Sequence, residues 1–179
     1  AVAPDGTAWV ATPKGVSRIE REPMTLKEKA ACFVDQVETR HNRDGYITDW
    51  RLTRRGDVTS AVPKITDNDG TYTAKYGAAM AFRYAISKDP EAKRLAKRSF
   101  EACKFLVDVV PDTVNGVDMR GFPARVVIPI DWPEPVNEQY GDEYNRSRQK
   151  RDPFWKLITP RFPKSADGKY RWKCDTSSD

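Results

Sequence analysis

Between Gly70 and Pro111 the chain carries two helical periodicities back to back, separated only by Lys88-Asp89-Pro90, and this pairing most limits what it can become. The first runs over 71–87: Tyr72, Tyr76, Ala79 or Met80, and Phe82-Arg83 recur at helical spacing, giving an aromatic face and a small one. The second opens with Asp89 as N-cap and Pro90 at the first helical position, where a missing N–H costs nothing. Ala92, Leu95, Ala96, Ser99, Cys103, Leu106, Val107 and Val110 supply its apolar side, and Pro111 closes it. The first helix is entered from Asp67-Asn68-Asp69-Gly70, two carboxylates and an amide at the mouth of an aromatic-lined helix. Such groups bind hydroxyls and stack on sugar rings; the plainer reading is that the cluster caps the helix.

Upstream, Ala8–Thr12 and Val16–Ile19 read as short strands around Pro13-Lys14-Gly15. Thr25 with Glu28 three residues on is a capping-box signature. Leu26, Ala30, Phe33, Val34, Val37 and His41 then share one helical face before Asn42-Arg43-Asp44-Gly45 ends the run, and Tyr46–Leu52 is strand-like. Residues 112–179, rich in Pro, Gly, Asp, Tyr and Trp, are expected to be irregular apart from strands at 124–130 and 169–174.

Composition narrows the function classes. A mean hydropathy of −0.73 and the lack of any long apolar run predict no membrane span. The net charge of +5 raises the question of a nucleic-acid partner. However, Lys93, Arg94, Lys97, Arg98 and Lys104 form a solvated helix face, and Arg146, Arg148, Lys150 and Arg151 are interleaved with acids. With no accompanying motif, no nucleic acid is expected. Cys32, Cys103 and Cys174 lack CxxC spacing, which argues against a zinc site. Cys32 and Cys103 fall on apolar helix faces and are expected to be buried free thiols, while one disulfide stays open as an alternative. No cofactor is predicted, with a divalent metal as the alternative.

Four segments in this order, DNDGTYTAKYGAAMAFRYA (67–85), RGFPARVVIP (120–129), DPFWKLITPRF (152–162) and KCDTSSD (173–179), resemble bacterial proteins with a six-hairpin, (α/α)-toroid glycosidase-like domain. The likeness covers roughly residues 25–179. In that group the domain often follows a β-propeller of the two-component-regulator type, and DGTAWVATPKGVSRI (5–19) resembles one propeller repeat. The resemblance implies a mainly α fold: the N-terminal part of an (α/α) toroid of helical hairpins over 23–179, with long loops and short β segments, preceded by a β-propeller-like remnant at 1–22. It also implies a periplasmic or secreted protein, and a remainder of the polypeptide after Asp179 as a partner, because three helices cannot close six hairpins.

The expected function is then part of a carbohydrate-active enzyme cleaving a neutral or acidic polysaccharide or oligosaccharide, by hydrolysis or β-elimination. The alternatives are a non-catalytic glycan-binding or sensor-associated module, or a structural half that docks with the rest of its chain. The candidate catalytic residues are His41, the only histidine, with Asp67 and Asp69. Hydrolysis uses two carboxylates roughly 5–10 Å apart, so one of these aspartates acting with an acid elsewhere is the expectation. Elimination instead needs a base such as Tyr72 or Tyr76 and a cation, Arg83 or Arg125, to neutralise a uronate. Trp50, Tyr72, Tyr76 and Trp155 are candidate stacking residues, with Arg83 and Arg125 for an anionic group. Asp175–Asp179 is a further polar run in the resembling proteins.

Overall fold

The computed structural model describes residues 1–132 and 138–175, and the chain divides into two units, Ala1–Glu38 and Thr39–Asp179. In the first unit, β1 (Ala8–Thr12) and β2 (Gly15–Ile19) pair antiparallel, Thr12 opposite Gly15, as the turn at Pro13-Lys14 requires. Helix α1 (Leu26–Gln36) starts where the capping box sets it: Thr25 Oγ1 accepts from the Glu28 N–H at 3.2 Å, and the Glu28 carboxylate accepts from the Thr25 N–H at 2.7 Å. No residue of α1 is buried, so its apolar face is open, and Cys32, expected to be buried, is exposed. All three cysteines are free thiols.

A π-helical turn, Val37–His41, leads into β3 (Asn42–Arg43) and β4 (Tyr46–Ile47). Between these strands Asp44 and Gly45 both take positive φ (51° and 93°), the geometry of a two-residue hairpin turn. Strand β5 (Trp50–Leu52) pairs with β6 (Ala61–Pro63) around a 3₁₀ turn at Val58–Ser60. Helices α2 (Asp69–Ser87) and α3 (Pro90–Asp108) form an antiparallel hairpin. Asp89 joins them twice, capping α3 by accepting from the Glu91 N–H at 3.0 Å and accepting from Arg83 of α2 at 2.9 Å. The helices meet at Gly77, where a Cβ would lie 2.8 Å from that of Ser99. A second tight hairpin follows, β7 (Thr113–Val114) and β8 (Val117–Asp118), around Asn115-Gly116, again with positive φ at both positions (51° and 78°).

Strands β9 (Val126–Pro129) and β10 (Tyr170–Lys173) pair antiparallel, with Trp172 opposite Val127. This ribbon packs on the C-terminal half of α3: Leu106, Val109, Met119, Val127, Ile158 and Trp172 are buried in one cluster. Between the two strands lies a helix the sequence reading placed in irregular chain, α4 (Glu138–Arg151).

The expected mainly helical toroid is therefore overturned. The described residues are mixed: four α-helices with the short π and 3₁₀ turns bring helical content to 41%, and strands make up 20%, in five two-stranded antiparallel sheets. Positive-φ turn pairs at 44–45 and 115–116 fold the intervening chain into short hairpins. Among the described residues, only α2 and α3 form a helical hairpin.

Candidate functional site

The first turn of α2 is held by a buried cation. Asp69, 0% exposed, pairs with the Arg43 guanidinium, and the same Arg43 Nη2 donates to the Val127 carbonyl at 3.1 Å. One side chain thereby ties β3, α2 and β9. Burial pushes the Asp69 carboxyl up from its ordinary range, and the Arg43 charge opposes that shift. Asn68 is the N-cap of α2 but its side chain makes no capping hydrogen bond. Two residues before Asp69, the backbone and side chain of Asp67 face a different neighbourhood.

There the C-terminal ribbon meets the start of α2. Lys173 Nζ pairs with the Asp67 carboxylate, and Arg125 Nε donates to the Asp67 carbonyl at 2.8 Å. Arg125 also lies 3.2 Å from Asp175, whose carboxylate is shared with the buried Arg161. Arg161 in turn donates to the Cys174 carbonyl. The result is a ladder of three cations (Arg125, Arg161, Lys173) against two carboxylates (Asp67, Asp175), one positive charge in excess among these groups.

Beside the ladder is a cleft of about 530 Å3 with Asp67, Thr71 and Arg125 at its polar side and Ala74, Leu106, Pro123 and Ala124 on its apolar side. The Arg125 side chain is 34% exposed, enough to meet a ligand while its backbone N–H donates to the Lys173 carbonyl at 2.6 Å.

Of the residues singled out from sequence, Asp67 and Arg125 are brought together here. None of the other candidate catalytic or substrate-binding residues lines this cleft, although Cys103 does. His41 Nδ1 lies 3.3 Å from the Thr48 carbonyl, which fixes the proton on Nδ1, since a carbonyl only accepts. Trp50, half-buried, sits on β5 opposite Pro63. On α2, Tyr72 is half-buried and Tyr76 buried, while Arg83 is engaged with Asp89. Trp155 is 2% exposed, packs against the guanidiniums of Arg148 (5.1 Å) and Arg161 (5.3 Å), and donates from Nε1 to Asn145 at 2.6 Å. It anchors a loop. The run 176–179 lies outside the described residues.

Sequence reasoning missed Lys173 and Arg161, and saw Arg43 only as part of a turn. Strand alternation carried a signal for Lys173: with Trp172 inward, its neighbour must face the opposite side. Among the described residues no three His, Cys, Asp or Glu side chains converge as a metal would need. None of the described helices is long and apolar enough to cross a membrane. No family model, curated protein or solved structure matches the chain.

Proposed function

We propose that the chain binds a carbohydrate, an acidic one by preference, in the cleft between the start of α2 and the β9–β10 ribbon, as a glycan-binding module of a periplasmic or secreted protein. The carbohydrate assignment draws on the resemblance of its four segments to glycosidase-like proteins. The observation that carries the cleft is the convergence of Asp67, Arg125 and Lys173 beside an apolar floor. A pyranose offers both kinds of surface: C–H faces for Ala74, Leu106 and Pro123, and hydroxyls for Asp67 and Thr71. The surplus cation and the partly exposed guanidinium of Arg125 suit a uronate or sulfate.

Binding is favoured over cleavage because each carboxylate near the cleft is already held by a cation, Asp67 by Lys173 and Asp175 by Arg125 and Arg161. A carboxylate that acts on a glycosidic bond must reach it, and oxygens already engaged by Lys173, Arg125 and Arg161 are occupied within the protein.

The test is calorimetric titration with oligogalacturonate, a sulfated oligosaccharide and a neutral oligosaccharide, with reducing ends and unsaturated uronate monitored in the same samples. Binding of an acidic oligomer that Arg125→Ala removes, without new ends, is expected. Release of reducing ends or unsaturated product would replace the binding reading with hydrolysis or elimination. No binding to any of the three would end the carbohydrate assignment.

A further inference from the structure

The α2–α3 hairpin has a second apolar face that nothing among the described residues covers. On α2, Ala74, Ala78, Ala81 and Ala85 are exposed, and on α3 the matching stripe is Ala96, Phe100, Cys103 and Val107, three of them apolar and two of them large. Both follow the 4-3-4 spacing of a seam that packs against a helix. Exposure is heavy where the side chains are large: Phe82 is 72% exposed, Ile86 86%, Phe100 69% and Val107 58%. Between the stripes runs a groove of about 450 Å3. In that groove lies Ser99, 1% exposed, whose hydroxyl has no hydrogen-bond partner among the described residues. A buried hydroxyl without a partner is costly, so it marks where an incoming polar atom belongs.

The rim carries the charge that selects the occupant. Lys75 borders the α2 stripe, and Lys93, Lys97 and Lys104 border that of α3, all exposed. Among the described residues Glu101 and Asp108 pair with Lys97 and Lys104, so the surplus positive charge of the rim sits on Lys75 and Lys93. A second copy of this chain would set these lysines against one another, which is unfavourable.

We infer that this face docks an amphipathic α-helix of a partner, whose apolar stripe lies in the groove between its own flanking carboxylates and which offers a polar side chain to Ser99. A helix fits because two parallel seams leave a trough that a third cylinder fills ridge into groove. Alanines on the α2 side permit its close approach.

The probe is a synthetic helical peptide with Leu/Ala at 4-3-4 spacing and Glu on both flanks, set against the same peptide with Lys flanks. Affinity is read by titration, and occupancy by alkylation of Cys103, which lines both the groove and the cleft, with Arg125→Ala run alongside to exclude binding in the cleft and the exposed Cys32 as internal control. The Glu peptide is expected to bind and to slow Cys103 alkylation selectively. The Lys peptide should bind more weakly by about tenfold, and the double variant Lys75→Glu/Lys93→Glu should reverse the preference. Both lysines are exposed, so the reversal is read on a surface exchange even if Phe100→Asp, expected to abolish binding, also lowers stability. Equal affinity for both peptides, no protection at millimolar peptide, or a concentration-dependent dimer that Phe100→Asp dissolves would each overturn the inference.

Discussion

The Arg43 guanidinium reaches the Asp69 carboxylate across 26 residues of sequence, and both side chains are shut away from solvent. A charge pair in that setting is asymmetric in its energetics. Removing one partner strands the other, whereas removing both is far milder.

Arg43→Met should therefore lower stability by about 3–5 kcal/mol, and Asp69→Leu by a similar amount. The double variant should be less destabilised than the sum of the two singles. Urea unfolding midpoints check this. Strict additivity would mean that the two side chains do not depend on each other.

Gly77→Ala tests how closely α2 and α3 pack. The added methyl would meet Ser99 Cβ at 2.8 Å, so the helices must part. Overpacking of this kind costs about 1–3 kcal/mol, against a gain of about 1 kcal/mol in helix propensity. Thermal denaturation should show a net loss, and Ser99→Gly in the same chain should recover it.

Cys174 links stability to alkaline pH. Burial pushes its thiol from an ordinary value of 9.0 up to about 12. The folded state therefore keeps a proton that the unfolded chain gives up. The contribution is complete below pH 9 and is lost as pH rises from 9 towards 12. Cys174→Ala should flatten that part of the stability profile, seen as a shallower fall of the urea midpoint above pH 9.

The three thiols should also react in sequence. Exposed Cys32 should label first in the native protein, half-buried Cys103 more slowly, and Cys174 only on unfolding. Mass spectrometry after timed alkylation reads the order directly. Native-state labelling of Cys174 at the rate of Cys32 would contradict the burial of Cys174 just beyond β10.

What was legible in the sequence was local. The Thr25–Glu28 box, the β1–β2 turn and the Asp89-Pro90 start each lie within four residues, and each formed where expected. Helix α4 was not legible because Glu138–Arg151 carries no apolar stripe; what it turns inward includes an amide, Asn145, and the bare backbone of Gly141, which sits against Arg161. Cys32 was misjudged for the converse reason. Helical spacing identifies an apolar face but not whether anything covers it, as α1 shows. The cleft was half legible: Asp67 and Arg125 were named, and alternation could place Lys173 on the outer side of its strand, but that these groups meet is a long-range pairing that local spacing does not show.

That dependence has a kinetic side. Lys173 pairs with Asp67 over 106 residues of chain, and Arg125 reaches Asp67 over 58. Loops of such length close slowly, and they close only when their far end exists. A nascent chain that has not yet extended past Tyr170 can already form the α2–α3 hairpin, whose contacts are near in sequence, but it has no ribbon and so no ladder. The ligand binding proposed for the cleft would thereby wait until synthesis and folding of this whole segment are done, and a nick or truncation ahead of β10 should remove the ladder while leaving the helices standing.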